Sequence, residues 1–416
     1  MKFSKYKLGE LLRVTRGASL PGTGYADEGR YLRLTLANFH EEGGFKDFKS
    51  TQGKYFVEAF DNRFLMHKGD LITPLTEQSP GLLGSVAFIP CDDLYIQSQD
   101  VGLITCNSEK LDKTFAYYLF LTRSVREQIS ARSQQTKIRH TSPDKIADVE
   151  VFLPDLPTQL RIAGILGSLD EKIELNRKKI AELEALAKTI YDYWFVQFDF
   201  PDKNGKPYKS SGGKMVWNEQ LKREVPEGWG VGNLYDIANF ENGLACQRFR
   251  PKGDEPSLPV IKIREMHDGI NPDTERVSAN IPEKHRIADG NLLFSWSASL
   301  EAMIWCGGDG GLNQHIFKVT PRGEYSVEYV YRQLASYIVA FAKMAEARKT
   351  TMGHITADHI KQSQVILPST EILSRFAVSI KPIFERRIVL QKETRSLVAQ
   401  RDTLLPLLMN GQVAVK

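Results

Sequence analysis

Apolar residues recur alternately four and three positions apart throughout residues 160–195, and the residues between them are largely charged or polar. This spacing predicts a long α-helix with one narrow apolar seam, of the kind that pairs helices in a coiled coil. At about 1.5 Å per residue such a helix is roughly 50 Å long, and an ordinary globular domain cannot bury so narrow a stripe over that length. The helix therefore requires a partner helix. Its predicted seam positions are Ile162, Leu166, Leu169, Ile173, Asn176, Ile180, Leu183 and Ile190.

The partner helix is predicted in the same chain, because the heptad pattern recurs after an offset of 214 residues, as from Ile162 to Phe376. Residues 135–154 and 349–368 align at the same offset, and a short block together with a whole helix at one offset indicates an internal repeat. The second helix should kink or restart at Pro382, which has no amide hydrogen for an interior helix bond. Its seam positions are Ile380, Ile383, Leu390, Leu397 and Leu404.

Polar residues occupy some of the seam positions. Asn176 in the first helix would fix the register or orientation of the helix pair at some cost in stability. Arg387 and Arg401 in the second helix are expected to pack their aliphatic stems in the seam only where their charged ends reach water.

The remainder of each half consists of short strands and turns with one helix. Strands are predicted at residues 31–34, 70–72, 85–89, 101–104 and 149–153, with a helix at 114–131. The second half restates this pattern with strands at 260–263, 291–294, 302–305, 315–319 and 363–367, and a helix at 327–347. The predicted fold class is α+β, with two repeated α/β domains joined by two long helices. The predicted parts are domain 1 at 1–157, long helix 1 at 158–196, an exposed linker at 197–228, domain 2 at 229–370 and long helix 2 at 371–412.

The composition is ordinary for a globular protein, with 42% hydrophobic and 25% charged residues, and a length of 416 residues favours two or more domains. A net charge of +4 permits a polyanionic partner without predicting one. The four cysteines lie far apart, and neither a CxxC pair nor an HExxH motif is present, so no zinc site or disulfide framework is indicated. No apolar run approaches the roughly 18 residues of a membrane span, and we expect a cytoplasmic protein.

Sequence motifs of catalysis are nearly absent. The chain has no GxxxxGK[ST] phosphate loop, no GxGxxG after a strand and no GxSxG elbow. A nuclease-like pattern is one alternative, since Asp144 with Asp170, Glu171 and Lys172 could hold Mg²⁺ beside a scissile phosphate. Against it, residues 170–172 are predicted on the long helix rather than on a strand, and the repeat lacks the pair. A coiled-coil scaffold without DNA binding is the other alternative.

Two loops at equivalent places in the repeat each lie between a helix and the last strand of their half. Gln can pair with adenine, Arg or Lys with guanine, and Thr or Lys with phosphate. One such loop is explained by solvation alone, but its recurrence in both halves favours DNA binding. The candidates in these loops are Gln134, Gln135, Lys137, Arg139, His140, Arg348, Lys349, Thr351 and His354. Further candidates are Arg33 and Thr35, with Lys262 and Arg264 on a matched strand, and Thr73, Gln78, Ser297 and Ser299 in two matched loops.

Several stretches of the chain resemble the specificity subunit of type I restriction-modification enzymes, and the likeness extends over essentially the whole sequence. They are residues 159–173 with Asn176, residues 193–201, residues 225–229, Arg401 with Asp402, and residues 404–406. The resemblance implies two target recognition domains, each reading one half of a bipartite asymmetric DNA site. It also implies that the two long helices form an antiparallel coiled coil, which spaces the domains and docks two modification subunits.

The resemblance further implies that this chain is a non-catalytic subunit of a prokaryotic, cytoplasmic complex, with double-stranded DNA as its ligand and no membrane attachment. The modification subunits would be adenine methyltransferases, and restriction subunits would add ATP-dependent cleavage. No cofactor is then expected in this chain, whereas S-adenosylmethionine, ATP and Mg²⁺ are expected in the partner subunits.

Overall fold

The computed structural model describes residues 2–46, 55–78, 81–133, 139–297, 299–347 and 357–415. The chain forms two compact units, one comprising Met1–Lys172 with Leu397–Lys416 and the other comprising Ile173–Ser396. Both boundaries fall inside the long helices, so each unit contains a part of each long helix.

The strands of the first unit are short and are covered by helices. The strands are β1 (Ser4–Lys7), β2 (Leu12–Arg16), β3 (Tyr25–Ala26), β4 (Tyr31–Arg33), β5 (Tyr55–Phe56), β6 (Leu71–Pro74), β7 (Thr76–Glu77), β8 (Ala87–Phe88), β9 (Tyr95–Ile96), β10 (Val101–Cys106), β11 (Arg139–His140) and β12 (Glu150–Leu153). The helices are α1 (Lys113–Leu121), α2 (Arg123–Ala131), α3 (Pro143–Ala147) and the long α4 (Leu156–Tyr191), which ends in a π-helical turn at Asp192–Val196.

The second unit continues with strands and helices of similar length. The strands are β13 (Met215–Asn218), β14 (Arg223–Pro226), β15 (Gly230–Gly232), β16 (Ala238–Asn242), β17 (Ser257–Ile261), β18 (Arg276–Ser278), β19 (Arg286–Ile287), β20 (Leu292–Ser295), β21 (Glu301–Ile304), β22 (Gly310–Leu312), β23 (Ile316–Pro321) and β24 (Val365–Leu367). The helices are α5 (Leu234–Ile237), α6 (Ile263–Asp268), α7 (Val327–Ala347), α8 (Ala357–Lys361) and the long α9 (Thr370–Met409).

The two units repeat one sheet topology. An antiparallel sheet with the order β2-β10-β6-β8 corresponds to β16-β23-β20-β21 in the second unit. The flanking pair of β1 with β12 corresponds to that of β15 with β24, which places an early strand of each half beside the last strand before its long helix. β4 pairs in parallel with β9, as β17 does with β22. The predicted internal repeat and the α+β fold class are therefore confirmed.

The long helices supply part of the core of each unit. In the first unit Ile162 and Leu166 of α4 and Leu408 of α9 are buried together with Phe115 and Phe120 of α1. Burial of side chains of this size stabilises the fold by about 1.5 to 3 kcal/mol each. The core of the first unit is thus assembled from both ends of the chain.

In the second unit the helices meet in an aromatic cluster. The Phe195 ring, in the turn after α4, lies 4.8 Å from the Tyr329 ring of α7 and 4.8 Å from the Phe376 ring of α9, measured between centroids. Both pairs are edge-to-face, the arrangement that aromatic quadrupoles favour.

Within the second unit α4 and α9 run antiparallel. Asn176 and Glu184 of α4 bind Glu393 and Arg387 of α9, so that a later residue of one helix meets an earlier residue of the other. Asn176 is fully buried and donates to the Glu393 carboxylate at 3.0 Å. All the predicted seam residues are buried or half-buried, as a two-in-seven apolar stripe requires.

Two local predictions were wrong, and a third was wrong in part. Residues 114–131 form two helices, because Thr122 is extended and its hydroxyl bonds to the Leu119 carbonyl at 2.7 Å. The predicted linker is folded, since β13 and β14 form a hairpin and the Phe200 ring stacks on Trp229 with centroids 5.1 Å apart. α9 does not restart at Pro382, because it runs as one helix from Thr370 to Met409. Val378, whose carbonyl loses a helix bond there, is 75% exposed, so water can satisfy it.

Gly17 and Gly243 directly follow the matched strands β2 and β16, where the backbone passes close to a neighbouring strand. The next residue of each makes a parallel bridge, Ala18 to Ser98 and Leu244 to Asn313. A Cβ would lie 2.4 Å from two carbonyl oxygens at Gly17 and 2.2 Å from the Asn313 oxygen at Gly243. Only glycine fits this approach, in both copies of the repeat.

We therefore expect Gly243→Ala to lower the free energy of unfolding by about 2 kcal/mol, as overpacking against backbone does. The matched control is Gly164→Ala on the exposed side of α4, where an added Cβ meets nothing within 4 Å. There the better helix former should raise stability by about 0.5 to 1 kcal/mol. Denaturant unfolding of both variants checks this, and equal stability of the two would contradict it.

Candidate nucleic-acid interface

In the first unit, the end of β4 and the capped turn that follows it position two candidate contact residues. We call this arrangement a strand-end frame. Arg33 is the last residue of β4, and Thr35 caps the helical turn that follows it. The Thr35 amide donates to the Asn38 side chain at 2.8 Å, and this capping bond holds the turn. The position of both side chains therefore depends on one short strand and one cap.

The second unit repeats this frame with different residues. Lys262 follows β17, the counterpart of β4, and its amide donates to the Glu265 side chain at 3.2 Å at the start of α6. Arg264 lies in the first turn of α6. Lys262 and Arg264 were predicted on a strand, but they lie in a helix cap and a helix because this cap ends the strand at Ile261.

A cleft of about 480 Å³ in the first unit brings together three of the predicted contact residues, Arg33, Thr35 and Gln78. Glu41 and Asp100 also line it. Guanidinium and amide groups can bind the edges of guanine and adenine, and a carboxylate can accept from the amino group of cytosine. The two carboxylates would repel phosphate, so this cleft suits base edges better than backbone.

Arg33 is held in one orientation by Tyr25. Its Nη1 donates to the Tyr25 hydroxyl at 2.9 Å, and its guanidinium carbon lies 4.9 Å from the centre of that ring. The tyrosine hydroxyl is neutral, so this contact orients the positive charge of Arg33 without cancelling it.

In the second unit the basic side chains lie on or beside α6. Lys262 Nζ is 2.7 Å from Glu275, and Arg264 is 2.7 Å from the buried Glu265. Both basic side chains remain substantially exposed, Lys262 at 39% and Arg264 at 51%. The pair of Lys262 with Glu275 is exposed on both sides and contributes about 0 to 1 kcal/mol, so a phosphate or base could displace Glu275 at little cost. Arg264 instead neutralises a carboxylate that is 1% exposed, which would be left without its counter-charge if Arg264 moved away.

His267 is a candidate that sequence reasoning missed. It lies on α6, and its Nε2 is 3.2 Å from the hydroxyl of the predicted Ser299 while its Nδ1 is 3.3 Å from Glu301. The signal in the sequence was its place three residues after Arg264, one helical turn on and so on the same side of α6.

Other predicted residues are placed differently. Thr73 is fully buried and donates to the Ser85 carbonyl at 2.8 Å, so it belongs to the core rather than to a binding surface. Ser297 is 5% exposed. His140 is exposed at the end of β11. Gln134, Gln135, Lys137, Arg348, Lys349, Thr351 and His354 lie outside the described residues, so their predicted DNA contacts stay predictions.

Arg139, predicted as a DNA contact, is engaged inside the protein. Its Nη1 lies 2.9 Å from the carboxylate of Glu77, whose side chain is 1% exposed. The other oxygen of Glu77 accepts the amides of Gly81, Leu82 and Leu83 at 2.8 to 3.0 Å. Glu77 thus holds the backbone of residues 81–83, and Arg139 neutralises its charge.

The described residues hold no group of three His, Cys, Asp or Glu side chains placed to bind a metal ion. Asp170 of the nuclease-like pattern accepts bonds from Tyr118 at 2.6 Å and Arg401 at 3.1 Å, so its carboxylate is engaged within the protein. Burial raises the pKa of the Cys106, Cys246 and Cys306 thiols to about 11, which keeps them protonated and weakly nucleophilic at neutral pH. Throughout the described part of the chain, no helix is both long and apolar enough to cross a membrane.

We expect Arg139→Ala to lower the free energy of unfolding by about 3 kcal/mol, because it leaves the buried Glu77 carboxylate without its counter-charge. The control is the exposed neighbour His140→Ala, which should change stability by less than about 0.5 kcal/mol. Urea unfolding measures both. Loss of DNA affinity in Arg139→Ala at unchanged stability would show instead that Arg139 contacts DNA directly.

Comparison with known proteins agrees with this architecture. The profile of the type I restriction modification DNA specificity domain matches residues 2–185 and 226–396. The HindI specificity subunit of Haemophilus influenzae is 24% identical over 403 residues, 83% of this chain and 87% of that protein. The MjaIX specificity subunit of Methanocaldococcus jannaschii is 25% identical over 320 residues, 73% and 69% of the two chains. The structure of a type I system S subunit from M. genitalium has a TM-score of 0.60 at 17% identity, covering 98% of this chain and 96% of that one, and so shares the fold. Because the profile matches well over half of the sequence, in two segments, this chain belongs to the family of type I restriction-modification DNA specificity proteins.

Proposed function

We propose that each recognition domain reads one half of a bipartite, asymmetric DNA site, and that the chain directs adenine methylation by two modification subunits. With restriction subunits, the same reading would direct ATP-dependent cleavage. The observation that carries this proposal is that both units have the same strand-end frame but different side chains on it. Arg33 and Thr35 lie on the first frame and Lys262 and Arg264 on the second, so the two domains offer DNA different hydrogen-bonding groups.

We assign the chemistry to the partner subunits. S-adenosylmethionine, ATP and Mg²⁺ would be bound there, and this chain would contribute sequence recognition alone. The engagement of Asp170 by Tyr118 and Arg401 counts against a self-sufficient nuclease. The cleft that gathers Arg33, Thr35 and Gln78 counts against a scaffold without DNA binding.

Docking of two copies of one partner is supported by the outer faces of the long helices. Leu175 of α4 and Val389 of α9 stand at equivalent positions of the repeat, 214 residues apart, and are 45% and 52% exposed. A matched pair of exposed apolar side chains fits two identical partners, because each copy would meet an apolar residue at the same position of the repeat.

Exchange of one recognition domain tests the reading of half-sites. Replacing residues 1–157 with the corresponding domain of another specificity subunit should change one half of the methylated site and leave the other half unaltered. Sequencing of methylated bases in a host carrying the chimera and its modification subunit gives the answer, with the unmodified chain as control. A change in both halves, or methylation without a bipartite site, would contradict the proposal.

The helices would set the gap between half-sites, and this can be tested by insertion. One heptad inserted after Asn176, and one at the facing level of Glu393, keeps both seams in register. The added length is about 10 Å, or roughly three base pairs at about 3.4 Å each.

We expect the gap to grow by about three base pairs while the half-site bases persist, because no recognition residue is touched. Affinity should fall, since three base pairs also rotate one half-site by about 100°, whereas a heptad turns the helix pair little. Mapping of methylated sites measures the gap. An unchanged gap at full activity, or new half-site bases, would show that the helices do not determine spacing.

A further inference from the structure

Two arginines of α9 stand in the seam and reach carboxylates of α4. Arg387 binds Glu184 at 3.0 Å in the second unit, and Arg401 binds Asp170 at 3.1 Å in the first. The equivalent positions of α4, 214 residues earlier, are the apolar Ile173 and Ala187. Seam packing as such therefore does not require arginine, and the charges serve another purpose.

The ion-pair network of the second unit also includes residues of the recognition domain, on α7. Arg387 binds Glu328 of α7 at 3.0 Å, and the two side chains are only 5% and 1% exposed. Glu328 in turn binds Arg332 at 2.7 Å, whose guanidinium lies 3.6 Å from Glu184. Two acids and two bases thus join α4, α7 and α9. Contrary to the sequence-based prediction, the Arg387 charge does not reach water but is neutralised by two carboxylates.

The first unit has a network of the same plan. The hydroxyl of Tyr118, on α1 of the first recognition domain, donates to Asp170 at 2.6 Å, and Arg401 binds that same carboxylate. Arg401 also binds its neighbour Asp402 at 2.7 Å. The side chains of Arg401 and Asp170 are 20% and 26% exposed, so this network is less deeply buried than that of Arg387. In both units one arginine of α9 thus holds a carboxylate of α4 that is tied to a helix of the recognition domain.

Burial of ion pairs in this way is weak evidence for stability, because the loss of hydration offsets most of the attraction. What such pairs supply is geometry. Apolar contacts, such as those of Tyr191 and Phe376 in the same core, are nearly non-directional and tolerate small rotations and shifts. A buried charge that slips from its partner is left unpaired at a large cost, so each network admits one docking position of its recognition domain.

We propose that Arg387 and Arg401 are positioning residues for the spacing of the two half-sites. This inference rests on the proposed function. Helix length would set the approximate gap, and the two networks would hold each recognition domain at one height and rotation on the helix pair. The gap would then be defined to a single base pair, a rise of about 3.4 Å, which a loosely docked domain could not resolve.

The decisive variant is Arg387→Met with Glu328→Met in the full chain, assembled with its modification subunits. It replaces a buried ion pair by apolar side chains of similar length. Glu184 and Arg332 remain as an ion pair, so neither charge is left without a partner. The Asp289 carboxylate still binds Arg395 of α9 at 3.1 Å in this variant. Burial alone would raise the pKa of Asp289, but the bonds from Arg395 and from the Gly308 amide outweigh it and lower that pKa. The domain should therefore stay docked and the protein folded.

The assay is methylation of DNA duplexes with the native gap and with gaps one base pair longer and shorter. We expect the preference for the native gap to fall by about tenfold while the unfolding temperature is unchanged or higher. The matched control is Lys381→Met with Glu385→Met, an exposed pair on the same helix with 71% and 62% exposed side chains, which should keep the full preference.

A second variant, Tyr118→Phe, removes one hydroxyl and keeps the ring, so it decides the question if the double variant does not assemble. It should reduce the preference by about threefold, because the network of the first unit is more exposed. Unchanged preference in folded variants, or an equal loss in the Lys381 control, overturns the inference and leaves the proposed function standing. A wild-type complex without any preferred gap would overturn both.

Discussion

The apolar seams of α4 and α9 are buried against each other and against the helices of their own unit, and this constraint shapes both units. The seams join residues far apart in the sequence, such as Asn176 and Glu393, which are separated by 217 positions. The entropy of closing so long a loop grows only with the logarithm of its length, so the separation itself costs little. The consequence is structural: Leu408 and Met409 complete the core of the first unit, which the N-terminal half alone leaves open.

The repeat separates what must be constant from what must vary. The sheets, the glycines that follow β2 and β16 and the capped turns after β4 and β17 recur because each satisfies a backbone requirement that any copy of the fold has to meet. Thr35 and Lys262, by contrast, stand at matched cap positions with different chemistry, because their side chains are not needed by the sheet beneath them. A scaffold of this kind lets binding preferences change without altering the fold.

Much of this architecture could be predicted from sequence, and the failures have physical causes. Periodicity placed the long helices and the bounds of α7, since a repeating apolar face is a signal carried by every turn. The break at Thr122 was missed because a single extended residue interrupts no apolar periodicity, and the hairpin at β13 and β14 was missed because it adjoins a stretch rich in Lys, Gly and Ser that is typical of a linker. The candidate site was only partly predictable. Arg33, Thr35 and Gln78 converge on one cleft, whereas nothing local to Arg139 shows that Glu77 lies opposite it.

That difference between arginines follows from the cost of burying charge. Burying a carboxylate such as that of Glu77 or Glu328, each 1% exposed, is costly without a counter-charge, and each of them is paired with an arginine that the fold brings close. Arg139 and Arg387 are engaged in such ion pairs, which hold the segments they join in one arrangement. Arg33 instead meets a tyrosine hydroxyl, a neutral partner that orients the guanidinium and leaves its charge available. In this chain the availability of a basic residue for nucleic acid is therefore decided by the buried acids around it, which only the folded structure reveals.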